Sequence, residues 1–173
     1  MLYINLLGDF RVVFGDEPAT SLRSPRLQSF LAYLLLHREA PQSRRHIAFL
    51  FWPDSSENQA QTNLRKLIVS LRSALPEADR YIALDRHTLQ WRSSSPYTLD
   101  VSDFEKAYSS ISDSVVPASP ALARPSSDGD ALEKIRRLRA AVDLYTGDLL
   151  PGCYEEWIAT PRERLRQAHL QTL

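Results

Sequence analysis

The chain has 173 residues, 43% hydrophobic and 24% charged, enough for one medium domain or two small ones and too apolar for wholesale disorder. Lysine and arginine number 21, and aspartate and glutamate 21, a balance that argues against attachment to nucleic acid or an anionic membrane by bulk charge. The single cysteine, Cys153, excludes an internal disulfide framework and any cysteine-based zinc site.

The first residues carry no basic leader, and no apolar run approaches the ~18 residues of a membrane span, so a soluble cytoplasmic protein is expected. The only Met is residue 1, which implies a natural start. Leu2–Leu7 and Phe10–Phe14 read as strands joined by Gly8-Asp9. Gly15-Asp16 turns again before a short Ala19–Leu22 strand, giving a small antiparallel sheet. Three helices follow. Ser24 caps the first, with Pro25 at its first position and Leu27, Phe30, Leu31, Leu34 and Leu35 at helical spacing. Ser43 caps a shorter second helix with Ile47, Leu50 and Phe51 on its apolar face, stopped by Trp52-Pro53. Trp52 reads as a core anchor between helices. Asp54 and Glu57 have capping-box spacing and open the third and longest helix, Ser56 to Leu75, whose Ala60, Leu64, Leu67, Ile68, Leu71 and Leu75 form one stripe.

Tyr81–Leu84 and Thr88–Trp91, separated by a polar turn, predict a hairpin. Ser93–Pro96 marks a boundary, beyond which the pattern is helical. Asp100–Ile111 presents Val101, Phe104, Ala107, Tyr108 and Ile111 on one face. Residues 113–130, rich in Ser, Pro and Ala, read as a mobile loop. Ala131–Tyr145 predicts a helix buried through Leu132, Ile135, Leu138, Val142 and Tyr145. Thr160-Pro161 with Glu163 predicts a capping box opening a last helix through Leu165, Ala168 and Leu173. No stop signal follows it, so the sequence is expected to end within a helix and continue in a longer protein.

Catalytic patterns are missing. The four histidines have no metal-ligand spacing, and no phosphate-binding glycine loop or nucleophile elbow occurs, so neither an enzyme, a metal nor a cofactor is expected. Cys153 has no local group to activate it and reads as a part-buried small residue. The third helix is the informative element. Opposite its apolar stripe lie Asn58, Gln59, Thr62, Arg65, Lys66, Val69 and Ser73, with Arg72 at the edge and no acid from Asn58 to Pro76. An exposed helix face is polar in any case, but a face chosen for solubility mixes Glu with Lys. Amides and cations match base edges, and a Val or Thr methyl can meet a thymine methyl. Charge is also segregated: residues 1–22 hold one basic and three acidic side chains, 23–92 eleven and six, and 93–173 nine and twelve. The positive excess falls on the three helices and hairpin, where phosphate contacts would be needed.

This order of elements resembles the OmpR/PhoB-type winged helix-turn-helix. Leu7-Gly-Asp-Phe-Arg-Val, Pro25-Arg-Leu-Gln-Ser-Phe-Leu-Ala-Tyr-Leu-Leu-Leu, Ser43-Arg-Arg-His-Ile-Ala-Phe-Leu-Phe-Trp-Pro-Asp and Gln61-Thr-Asn-Leu-Arg-Lys-Leu-Ile-Val-Ser-Leu-Arg are similar to the SARP family of bacterial regulators. Ala141-Val-Asp-Leu-Tyr-Thr-Gly-Asp-Leu-Leu-Pro-Gly, Tyr154-Glu-Glu-Trp-Ile and Arg162-Glu-Arg-Leu resemble their bacterial transcriptional activation domain. The resemblance implies an α+β winged helix with a hairpin wing over 1–96. An all-α, tetratricopeptide-like segment over 97–173 would form the start of the activation domain. It implies a sequence-specific regulator of double-stranded DNA, with RNA polymerase, further domains of the same chain or a second copy as protein partners. On that basis Thr62, Arg65, Lys66 and Val69 are expected at or near bases, and Asn58 and Arg72 at the backbone. Arg86 and His87 belong at the minor groove, and Arg44 and Arg45 at phosphates. The alternative is a protein-interaction scaffold that uses the helical half, with the winged helix not reading DNA.

Overall fold

A computed structural model describes residues 1–112 and 128–173. β1 (Leu2–Asn5) buries Leu2 and Ile4 and turns Tyr3 and Asn5 outward, the alternation of a half-buried strand. It pairs antiparallel with β2 (Arg11–Phe14), which pairs with β3 (Glu17–Pro18). The third strand therefore lies before the expected Ala19–Leu22, because the turn at Gly15, with φ of +63°, closes more tightly than the pattern implied.

α1 (Pro25–Leu36) is buried on nearly every side: Leu27, Phe30, Leu31, Leu34 and Leu35 sit in the core together with Ala32 and Tyr33. Ser24 precedes it but makes no side-chain capping bond. β4 (Gln42–Ser43) leads into α2 (Arg44–Phe51), where Ser43 accepts from the His46 N–H. α3 (Glu57–Ala74) is capped by Ser56, which accepts from the Gln59 N–H; Asp54 is not the cap. The six apolar positions expected to form its stripe are all buried, and Trp52 is part-buried against the same core.

A four-residue helix, α4 (Ala78–Tyr81), precedes β5 (Ile82–Leu84) and takes up Tyr81, which the sequence pattern placed in the hairpin. β5 pairs antiparallel with β6 (Thr88–Trp91). β4 adds to the other edge of β6, so the hairpin belongs to a three-stranded sheet of order β4-β6-β5.

Beyond Ser93–Pro96 the chain is not purely helical. β7 (Tyr97–Leu99) returns to the first sheet and pairs parallel with β1, giving the order β3-β2-β1-β7. The expected all-antiparallel sheet is thereby corrected. α5 (Asp100–Ser112) starts at once, and its Asp100 Oδ2 accepts from the backbone N–H groups of Leu6 and Leu7, each at 2.8 Å. This carboxylate continues the ladder where β1 runs out of strand partners. Burial pushes the Asp100 carboxyl above its ordinary range, against the N–H groups of Leu7, Leu6 and Val101, which favour the charged form.

α6 (Asp128–Leu144) begins before Ala131, so the last three residues of the expected loop are helical; 113–127 lie outside the described residues. Its expected apolar face is part-buried at Leu138, Val142 and Tyr145 and open at the N-terminal end. Leu132 and Ile135 are 67% and 49% exposed, and only Ala141 among its described side chains is fully buried. Periodicity identified the helix, but no packed element covers the N-terminal part of that face among the described residues.

The turn after α6 docks on the first sheet. Gly8 N–H donates to the Asp148 carbonyl, Leu150 N–H to Leu6, and the Thr146 hydroxyl to Leu7. Gly8 has φ of +82°, and a Cβ there would lie 2.8 Å from the Thr146 hydroxyl oxygen. A 3-10 turn (Glu156–Ile158) runs into α7 (Ala159–Leu170), so Thr160 and Pro161 are already inside the helix and the expected box does not form. α7 ends at Leu170, where the Thr172 hydroxyl donates to the His169 carbonyl. Leu165 is buried and Ala168 is part-buried, whereas Leu173 is 80% exposed.

Candidate nucleic-acid interface

The outward face of α3 carries Asn58, Thr62, Lys66, Val69 and Ser73, all exposed. Val69 is 64% exposed, an apolar side chain set among polar ones. The Thr62 hydroxyl donates back to the Asn58 carbonyl at 2.9 Å, so its hydrogen is engaged within the helix. Arg65 and Lys66 are exposed and make no hydrogen bond or ion pair among the described residues. Arg72 differs from the other cations of α3: it is held by Asp79, at the start of α4.

Between α2, α3 and the tip of the hairpin lies an open groove of about 550 Å³. Arg44 and Arg45 come from α2, Gln61 and Arg65 from α3, and Arg86 and His87 from the hairpin turn. Leu64 and Ser43 also line it, and no acidic side chain does. Ser43 is the cap of α2, so the positive end of that helix borders the groove as well. Five residues expected to touch DNA thus converge from three separate elements.

The three elements are fastened to one another. Arg44 N–H donates to the His87 carbonyl at 2.9 Å, and its guanidinium donates to the Asp85 carbonyl at 3.1 Å. The turn itself is closed by Asp85, whose Oδ1 accepts from the N–H groups of His87 and Thr88. Those bonds, that of His87 first, hold the Asp85 carboxyl below its usual range. Arg44 is therefore partly engaged in supporting the hairpin, while Arg45, 77% exposed, is free to reorient from its one ion pair, with Glu57.

Glu57 stands one turn before Gln61, in the first turn of α3; the sequence marks it only as the partner of Asp54 in a capping box, and the polar face is read from Asn58 onward. Its i, i+4 relation to Gln61 was the available signal.

The sequence matches no family model and no curated protein. Among solved structures the chain is similar in fold to Mycobacterium tuberculosis EmbR, seen in complex with a low affinity phosphopeptide. The TM-score is 0.77 at 17% identity, over 99% of this chain and 43% of that one. The chain therefore spans less than half the length of that protein, and what they share is the mixed α and β architecture. Among the described residues no helix is long and apolar enough to cross a membrane, and no three metal-ligating side chains cluster.

Proposed function

We propose that the chain is a sequence-specific DNA reader of the SARP type, with an OmpR/PhoB-type winged helix over 1–96 and the start of an activation domain over 97–173. The observation that carries this reading is the acid-free groove lined by Arg44, Arg45, Arg65, Arg86 and His87, continuous with the exposed polar face of α3. α3 enters the major groove with its N-terminal half foremost. Thr62, Arg65, Lys66 and Val69 meet base edges, and Asn58 contacts the backbone. The hairpin tip, Arg86 and His87, lies at the adjacent minor groove, with Arg44 and Arg45 at phosphates. Arg72, paired with Asp79, contributes a backbone contact only by exchanging that partner.

The likeness in fold to EmbR supports a regulator, and the modest local excess of positive charge supports binding by geometry more than by bulk attraction. Protein partners, RNA polymerase or a second copy among them, fit the helical half, where α6 shows Leu132 and Ile135 to solvent.

Selection from random duplexes with the purified chain tests the proposal, with one enriched motif as the expected result. Lys66→Ala is expected to weaken binding to that motif, and a double Arg44→Ala, Arg45→Ala change to weaken all duplexes and flatten the salt dependence. No enrichment, or unchanged gel-shift titrations for both variants, overturns it and leaves the interaction-scaffold reading.

A further inference from the structure

Glu57 brings a carboxylate to the rim of the acid-free groove. Glu57 Oε1 lies 2.8 Å from Arg45 Nε, and Oε2 lies 3.4 Å from an Arg45 terminal nitrogen. The same carboxylate accepts from the Gln61 side-chain amide at 3.2 Å. Arg45 and Gln61 both line the groove, whereas Glu57 lines the neighbouring cleft beside Trp52 and Pro53. Glu57, Gln61 and Arg65 fall at i, i+4 and i+8 on α3, so the stripe runs from a negative end into a positive one.

A carboxylate and a phosphate offer the same thing to a guanidinium: a delocalised anion with paired acceptor oxygens. Glu57 thus occupies Arg45 in the way a backbone phosphate would. The pair is exposed on both sides, 77% for Arg45 and 56% for Glu57, so its own contribution to stability is small and exchange of partners is cheap.

Resting on the DNA-binding reading above, we infer that Glu57 acts as an internal phosphate substitute that lowers the affinity of the interface for every duplex. It occupies Arg45 and Gln61 in the free protein and must be displaced before they engage a strand. Every duplex meets this competition. Because the cost is common to all duplexes it lowers every affinity by the same factor, which removes weak binding to arbitrary sequence while a site that also satisfies Thr62, Lys66 and Val69 stays bound.

The test compares the whole chain with Glu57→Gln, using the duplex enriched in the selection and a scrambled duplex of the same composition, each titrated over a range of salt. The expected result for Glu57→Gln is about two- to fivefold tighter binding to the scrambled duplex, and a salt dependence steeper by about one released counterion. The gain for the enriched duplex should be of the same size, so that the ratio between the two is unchanged. The double Arg45→Ala, Glu57→Gln variant should lose the gain, because the released cation is then missing. Circular dichroism and a denaturation midpoint establish that each variant is folded. Unchanged or weaker binding of Glu57→Gln to the scrambled duplex overturns the inference, as does a gain that survives loss of Arg45. A wild-type chain that binds neither duplex overturns the DNA-binding reading itself, so the two failures are distinct.

Discussion

Arg26, at the start of α1, and Glu155, in the segment before α7, meet at 2.6 Å across 129 positions of sequence. The Glu155 carboxylate also accepts from the Ser29 hydroxyl at 2.8 Å and the Trp157 indole N–H at 2.6 Å. Arg26 in turn donates to the Phe51 carbonyl at the end of α2 and lies 5.3 Å from the Trp52 ring centre. One carboxylate thus ties the C-terminal segment to α1 and, through Arg26, to the turn that leads into α3. Replacing it, Glu155→Ala, leaves three donors without their acceptor and is expected to cost about 1–3 kcal/mol by urea denaturation. Trp157, stacked near Phe51 and edge-on to Tyr33, should shift its fluorescence toward the red in the same variant.

Asp100 is buried and holds the Leu6 and Leu7 N–H groups. Asp100→Ala strips both of their acceptor and is expected to cost about 2–4 kcal/mol, with Asp100→Asn costing less because one oxygen remains. Because the folded-state carboxyl is raised, the native state binds this proton more readily than the unfolded chain does. Its stability contribution therefore diminishes as pH rises from the unfolded value through the folded one, and is constant above. Denaturation midpoints of the wild type should accordingly gain on those of Asp100→Asn as pH falls through that window.

Gly8 is in the left-handed region and packed against Thr146, with Gly147 approaching from the same loop. Gly8→Ala meets both a backbone penalty and a clash, and is expected to cost about 1–3 kcal/mol. Each kcal/mol corresponds to a fall of about 2–4 °C in Tm for a chain of this size. Gly15, equally left-handed but with nothing near its absent Cβ, should show the backbone penalty alone, and the difference between the two variants isolates the docking contact.

Arg44 and Arg45 are neighbours in sequence with different tasks. Arg44→Ala removes the guanidinium bond to the hairpin turn and should raise hydrogen exchange at the His87 and Thr88 amides, while Arg45→Ala leaves those amides unchanged. Lysine in place of Arg44 is not expected to restore protection, since an ammonium lacks the planar spread that spans the Asp85 and Arg86 carbonyls.

The elements that were legible in the sequence are those whose reason is local. Ala60, Leu64, Leu67, Ile68, Leu71 and Leu75 define α3 by their spacing alone, and Thr88–Trp91 reads as a strand without its partners. β4 and β7, two and three residues long, exist because β6 and β1 offer open edges, and no pattern that short announces itself. The two expected capping boxes show the limit of motif spacing. Ser56 competes with Asp54 for the start of α3 and is the residue beside Gln59, while α7 grows out of a 3-10 turn that already passes Thr160. Leu132 and Ile135 have core spacing, but periodicity records that a face is apolar without recording what covers it. At the candidate interface the side chains were named from α3, α2 and the hairpin separately. Their convergence on one groove, and the carboxylate of Glu57 at its rim, depend on how β4 seats α2 against β6.

β7 also sets the order in which the molecule can be finished. β1 is synthesised before all its partners and can pair with β2 almost at once, yet its other edge, and the amides of Leu6 and Leu7, find their partners only at Tyr97–Asp100, some 94 residues later. Until that stretch has left the ribosome, the nascent chain presents a bare strand edge with Leu2 and Ile4 beside it, the configuration in which one chain pairs wrongly with another. A piece ended at Pro96, where the composition changes, would keep that edge open permanently.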